Sequence, residues 1–437
     1  TRRVNGSMTG TKQVVVLGAE DVDLERLRRL YIAPHVRFCA ALGLHDIRTA
    51  DRIYVRRTLK TVRRQLHAFP RAVDGIVGFW DFPVSTIVPI LAREFKVPGP
   101  SLESVLKCEH KYWSRLEQKA VLPDHTPAFC KVDPFAANPL SQVPLPFPFW
   151  LKPVKAFRSQ LGFRIGGRAD FDNAIPVIRR EIPRLARPFD EVLACADLPP
   201  EVVGVTGRYC IAEEMISAGW QCTLEGYVHE GCVTVYGVVD SIRHQGASTF
   251  ANYRYPSSLP CTARKRMAEL AETFVKHIDY RDACFNMEFF YNPDTDAIWL
   301  LETNTRISES HGPLFEKVDG TSHERIMVDV ALGRKPTFPR RRGRFACAAK
   351  FMIRVFEDCR VRAIPSRGEL DAIRREIPGT DIELHVQPGM RLSELADQDS
   401  YSYEVGVVFV GGESPADLQH KFDRIGDALH IEFSAGE

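Results

Sequence analysis

What this sequence lacks narrows it first. No run of apolar residues approaches the ~20 that a membrane-spanning helix needs. Net charge is nearly absent. The 58 lysines and arginines stand against 56 aspartates and glutamates, a balance of +2, which supplies no field to gather nucleic acid or an anionic membrane. Paired cysteine spacing is missing too: the 11 cysteines are scattered, with no CxxC and no histidine pair at zinc spacing. Neither a disulfide framework nor a zinc knuckle is suggested, and reduced thiols in a cytoplasmic protein are expected. There is no internal repeat, no low-complexity tract, and no Ser-His-Asp or Cys-His arrangement that would signal a covalent nucleophile. What remains is an ordinary globular composition, 44% hydrophobic and 26% charged. A chain of 437 residues exceeds what one core sustains, so two or three domains are expected. The partners are expected to be small molecules, with a homodimer as the only assembly considered.

The apolar patterning is α/β at the front and α+β behind. KQVVVLGAED (12–21) reads as a first parallel strand, DGIVGFWD (74–81) as another, and helical stretches lie around TLKTVRRQLHAF and STIVPILAREF. A charged helical stretch, SVLKCEHKYWSRLEQKAV (104–121), leads into a proline-rich connector, VDPFAANPLSQVPLPFPF. Strands then dominate: YCIAEEMI (209–216), and TLEGYVHEGCVTVYG with a hairpin break at Glu230-Gly231. RKRMAELAETFVKHI (264–278) has the helical period, and NMEFFYNPDTDAIWLLETN reads as two strands about the turn Asn292-Pro293-Asp294. A basic connector, TFPRRRGR (337–344), precedes a last α+β segment. Residues 1–7, ahead of Met8, are left outside the fold.

The stretch LLETNTRIS (300–308) carries the chemistry. Period two places Glu302, Asn304 and Arg306 on one face, and pairing with the preceding strand would bring Glu288 opposite them. Two carboxylates and an amide oxygen form a hard, all-oxygen set suited to magnesium, with manganese as a substitute. Arg306 on the same face is placed to stabilise charge on a phosphoryl group. Trp299, Leu300 and Leu301 suggest a central, buried strand. Lys152 follows Phe149, Trp150 and Leu151, where a buried ammonium needs an anion. Lys111 and Lys107 lie one helical turn apart, and either could face a ligand. Glu213 and Glu214 are adjacent, so one faces in and the other out.

These motifs together resemble the ATP-grasp superfamily, and most of all its biotin carboxylase and carbamoyl phosphate synthetase branch, over about residues 12–435. The resemblance implies an ATP-grasp fold with three parts. These are an N-terminal open α/β pre-ATP-grasp domain (1–105), an ATP-grasp region (106–335) with a small lid at about 145–212, and a β-rich C-terminal mixed domain (336–437) completing the site. It implies that Lys111 and Lys152 hold ATP phosphates, that Ser159 lies in the lid loop, and that Glu213, Glu214, Met215 and Ile216 form the adenine hinge. Gln221 stands where the family commonly has an acid for the ribose. Glu288, Glu302 and Asn304 would hold Mg2+, or Mn2+, while Arg306, Lys152 and Lys350 would act on the transferring phosphoryl group and substrate.

Two departures from the family bear on the reaction. The lid loop VKAFRSQLGF has only Gly162 where glycines usually abound. The glutamate that deprotonates bicarbonate in biotin carboxylases is matched by Ser310, with Glu309 one step off register, and the bicarbonate-holding arginine is matched by Lys350. Both weaken a carboxylase reading. The expected activity is an ATP-dependent ligase that joins a carboxylate, such as an amino acid, to an amine through an acyl phosphate. Alternatives are a bicarbonate-activating carboxylase and a nucleotide-binding protein without ligase activity. Substrate contacts are expected from Arg243, His244, Tyr253, Arg254, Ser308, Ser310 and His311.

Overall fold

The computed structural model describes residues 10–31, 35–47, 52–156, 161–216, 219–244, 249–395, 398 and 402–434. At the front, β1 (Lys12–Gly18), β2 (Val36–Gly43) and β3 (Gly75–Val77) form a parallel sheet in the order β2-β1-β3. Both faces of β1 are covered, which is why it reads as a continuous apolar run. Val14 and Val16 join one core with Leu24 and Leu27, whereas Val15 and Leu17 join another with Val62, Ile87 and Leu91. The stretch expected as one helix over 104–121 is two, Leu102–Glu109 and Lys111–Val121. His110 stands between them in extended backbone, and its imidazole accepts from the Trp113 N–H.

The second sheet is built from β4 (Phe129–Val132), β5 (Phe149–Pro153), β6 (Phe163–Ile165) and β7 (Cys210–Glu214), antiparallel in the order β4-β7-β5-β6. This sheet takes in β4, which lies just ahead of the proline-rich connector and pairs with β7. It packs on a long helix, Arg168–Leu193, whose Phe171, Ile175, Ile178 and Ile182 recur at helical spacing. That helix escapes a sequence reading because Pro176, Pro183 and Pro188 lie inside it.

The third sheet positions the site. It comprises β8 (Trp220–His229), β9 (Cys232–Arg243), β10 (Phe250–Tyr255), β11 (Ala283–Asn292), β12 (Ala297–Asn304) and β13 (Cys347–Val355). Four more strands follow in the chain, of which β15 and β16 join this sheet: β14 (Arg360–Ala363), β15 (Thr380–Leu384), β16 (Tyr403–Gly412) and β17 (Glu432–Ser434). The order is β12-β11-β8-β9-β10-β13-β16-β15, eight strands, with β14 and β17 paired apart. Strands from the expected C-terminal domain thus continue the same sheet through the β10–β13 pairing. One face is apolar: Cys222, Leu224, Met287, Phe289 and Leu300 pack on Met267, Ala271 and Phe274 of the helix Cys261–His277.

The apolar start of LLETN suggested a central strand, but β12 is an edge strand. Its apolar side chains are buried by the helix Leu102–Glu109 and the turn Pro123–His125, and its outward carbonyls are capped by side chains. Arg115 Nη1 donates to Leu300 O at 2.7 Å, and His125 Nδ1 bonds Ile298 O at 2.7 Å. The edge is thereby closed to further pairing.

Candidate active site

The polar face of the eight-stranded sheet gathers most of the expected residues. Glu288 on β11 lies directly across from Glu302 on β12, and Asn286 lies across from Asn304. A bulge at Leu301, between the Glu288–Glu302 and Phe289–Leu300 pairs, lets the apolar start of β12 and its polar end each meet the right neighbour. Asn304 spends its Nδ2 on Asn286 Oδ1 at 2.9 Å, so its amide oxygen is the end left for a cation. Burial, then the Glu302 charge, pushes the Glu288 carboxyl up to about 7. Glu302 moves the other way: burial pushes it up, but Lys111, Lys152 and Lys155 outweigh this and hold it down. Two opposed carboxylates, one of them reluctant to ionise, form a donor set that a divalent cation fits. Among the described residues no cluster of three or more His, Cys, Asp or Glu could hold a metal, so any cation must rest on two acids and an amide.

A narrow cleft lies beside Glu302, lined by Lys111, Arg115, Lys152, Glu213 and Leu301 among others. Lys111 begins its helix and reaches Glu302 at 3.4 Å, whereas Lys107 turns to Glu117 at 3.9 Å. Of the two lysines left open by spacing, Lys111 is the one at the site. Lys152 meets Glu213 at 2.6 Å, and burial pulls its ammonium below the usual lysine range.

Glu213, expected at the adenine, turns its carboxylate to two cations. One oxygen accepts from Arg115 Nε at 2.8 Å, and the other pairs with Lys152 and lies 3.4 Å from Arg115 Nη2. Both oxygens are thus taken by cations, and although burial pushes the carboxyl up, Arg115 and Lys152 hold it at about 2. Glu214 faces out, as alternation requires, and accepts from the Ala128 N–H at 3.3 Å. Met215 and Ile216 follow β7 directly, half-buried and buried respectively. Ser159 lies outside the described residues. Gln221, expected at the ribose, instead donates to Glu288 at 2.9 Å and accepts from Arg243 at 2.7 Å.

Arg306 follows the end of β12 and is held by Asp81 of the front domain through two parallel bonds, both 2.8 Å. Lys350 on β13 is the neighbour of Tyr253 on β10 and donates to Ser310 Oγ at 2.9 Å. His311 stands edge-on to Tyr253, ring centres 5.3 Å apart, and the Ser308 N–H donates to Glu225 at 3.3 Å. Two of the expected substrate residues fall away from this group. Arg254 alternates with Tyr253 and bonds Asn252 on the opposite face. His244 packs against Phe356 at 5.7 Å, next to residues outside the described set.

Four residues escaped the sequence reading. Lys155 is buried, pairs with Glu109, and is pulled down by burial to about 8. Arg115, 2% exposed, lies in a helix with Lys111, Glu117 and Lys119 and is not set apart by its spacing, so only its partner Glu213, 98 positions away, reveals it. Asp81 and Glu225 likewise meet Arg306 and His311 only through the fold. Lys155 alone left a signal: a second lysine three residues after Lys152, in an apolar run.

Similarity to known proteins agrees with this geometry. Residues 231–337 match the family "Carbamoyl-phosphate synthase L chain, ATP binding domain". The chain is 25% identical over 256 residues to the carbamoyl phosphate synthase large chain, C-terminal section, of Methanopyrus kandleri. That match covers 58% of this chain and 42% of the relative, so the chain spans less than half of the curated relative's length. The L-amino acid ligase of Bacillus licheniformis superposes with a TM-score of 0.71 at 16% identity, covering 98% of this chain and 100% of that one. Biotin carboxylase of Campylobacter jejuni superposes at 0.65 and 14% identity, covering 96% and 92%. The fold is that of the ATP-grasp enzymes.

Proposed function

From its ATP-grasp fold, we propose that this chain is an ATP-dependent ligase joining a carboxylate to an amine, with release of ADP and phosphate. The observation that carries the reading is the convergence of Glu288 and Glu302 across β11 and β12, ringed by Lys111, Lys152 and Lys155. A carboxylate is a poor electrophile because its leaving group would be oxide; transfer of a phosphoryl group makes an acyl phosphate that an amine can attack. Such chemistry asks the protein for positioning and charge neutralisation rather than a covalent nucleophile.

Glu288, Glu302 and the amide oxygen of Asn304 would hold magnesium, with manganese acceptable to the same oxygen donors; bound there, the ion would neutralise phosphate charge. Lys111, Lys152 and Lys155 offer ammonium groups to the phosphates, and ATP would compete with Glu213 for Lys152. Arg306, oriented by Asp81, stands at the end of the carboxylate row, where phosphoryl charge would develop. Lys350 and Ser310 offer a cation and a hydroxyl suited to a substrate carboxylate. The position that bicarbonate activation would fill with a carboxylate is the hydroxyl of Ser310, and the full-length likeness to an L-amino acid ligase points the same way. Amino acids are therefore the first substrates to test.

Phosphate release is measured with ATP and magnesium against common L-amino acids singly and in pairs, and against bicarbonate. Release that needs a carboxylate and an amine together supports ligation; release with bicarbonate alone overturns it in favour of a carboxylase.

A further inference from the structure

On the same polar face, β8 carries an acid that the reaction above leaves unused. Glu225 is wholly buried. One of its oxygens accepts from His311 Nδ1 at 2.7 Å and from the Ser308 N–H at 3.3 Å; the other accepts from the Tyr236 hydroxyl at 3.4 Å. His323 Nδ1 stands 3.2 Å from that hydroxyl and 3.9 Å from the carboxylate. A carboxylate that receives an imidazole N–H fixes both the ring's orientation and its tautomer, leaving the lone pair on the far nitrogen. In His311 that nitrogen is Nε2, which has no hydrogen bond among the described residues. The ring directly follows Ser310, the partner of Lys350, and stands against Tyr253. It belongs to the corner where the substrate groups gather.

An amine substrate reaches a neutral-pH solution as an ammonium ion, with no lone pair to attack an acyl phosphate. We propose that Glu225 and His311 form a proton-accepting pair for the attacking amine, an inference that rests on the ligase reading. His311 Nε2 takes one N–H proton from the ammonium while the Nδ1 proton passes to Glu225, leaving a neutral amine, a neutral imidazole of the other tautomer and a neutral carboxyl. The amine lone pair forms the C–N bond, the C–O bond to phosphate breaks with its electron pair on oxygen, and the surplus amide proton leaves with the phosphate. Return of the Glu225 proton to Nδ1, with loss of the Nε2 proton to water, restores the pair.

The surroundings favour this division of labour. Burial, then Lys350 and Arg306, hold the His311 imidazole at about 3, so it stays neutral. Burial pushes Glu225 up to about 7 against the opposing pull of His323, Arg306, the Ser308 N–H and Tyr236. The acid is thus the better final resting place for the proton. The groups facing the pair are Tyr236 on β9, Tyr253 on β10, Cys284 and Asn286 on β11, Arg306 beyond β12, Lys350 on β13 and His323.

The test uses two nucleophiles on the intact chain. With a mixture of the common L-amino acids, ATP and magnesium, phosphate release follows attack by amino acids; added hydroxylamine, already neutral near pH 7, gives a hydroxamate without needing a base. Glu225→Gln and His311→Asn are expected to lose about a hundredfold in release with amino acids. That loss should exceed the loss in hydroxamate formation at least about thirtyfold. Glu225→Gln should also abolish a rise of wild-type rate with pH around neutrality. Equal losses with both nucleophiles, or an unchanged amino-acid rate, would overturn the pair. If Glu225→Gln does not fold, His311→Asn decides by the same ratio. Wild type forming neither product would overturn the ligase reading, and this inference with it.

Discussion

Replacing Arg115 by methionine should unfold this protein more readily than any other single change at the cleft. The guanidinium is 2% exposed and bonds Glu213 through Nε at 2.8 Å and Nη2 at 3.4 Å, with Nη1 on the Leu300 carbonyl at 2.7 Å. Methionine keeps the volume but leaves the buried Glu213 with Lys152 alone and the edge carbonyl of β12 uncapped. In the folded protein Glu213 sits at about 2 against an ordinary 4.5. At about 1.36 kcal/mol per unit, that depression corresponds to roughly 3 kcal/mol, in line with the ~3–5 kcal/mol lost when a buried pair loses one partner. Because the folded value is depressed, this stabilisation is complete above pH 4.5 and fades as pH falls toward about 2. Urea unfolding followed by tryptophan fluorescence, with Trp113 on the same helix, should therefore show Arg115→Met about 3–5 kcal/mol less stable at pH 7. The gap should narrow between about pH 4.5 and 2. Glu213→Gln in the same chain should recover part of the loss. A gap under ~1 kcal/mol at pH 7, or one indifferent to acid, would refute the ion triad as a stabilising element.

Other perturbations probe the site and the sheet. Glu302→Gln should lower ATP-dependent phosphate release by about a hundredfold or more, because it removes one of the two facing acids proposed to hold a cation. Lys152→Met should raise the KM for ATP by about tenfold or more, whereas Lys107→Met, directed at Glu117, should change it less than about twofold. Gly219→Ala should destabilise by ~1–3 kcal/mol in thermal unfolding, since φ is 97° and a Cβ would stand 2.2 Å from the Tyr291 carbonyl oxygen.

Local pattern carried much of this architecture. The Glu230-Gly231 break is a hairpin turn with both φ values positive, and the alternation in QCTLEGYV set Gln221, Thr223 and Glu225 on one face of β8. The E-x-N-x-R spacing brought Glu302 and Asn304 to Glu288 because period two is a property of the backbone. Long-range partners were not legible. Nothing near Arg115 points to Glu213, nothing near Asp81 to Arg306, and nothing near Glu225 to His311, since those pairs exist only once strands and helices from distant segments meet. The edge position of β12 was hidden for a related reason. Its apolar residues look central, yet helices and the side chains of Arg115 and His125 cover the edge in place of a ninth strand. The helix Arg168–Leu193 was concealed by its prolines, whose local penalty is outweighed by the core along its other face.

In the proposed reaction a carboxylate is activated by phosphoryl transfer before an amine attacks. Amino acids labelled with heavy oxygen in the carboxylate, incubated with ATP and magnesium until product forms, test it directly through the mass of the released phosphate. Each phosphate should carry one oxygen from the labelled carboxylate. Phosphate released without label while an amide accumulates would contradict it.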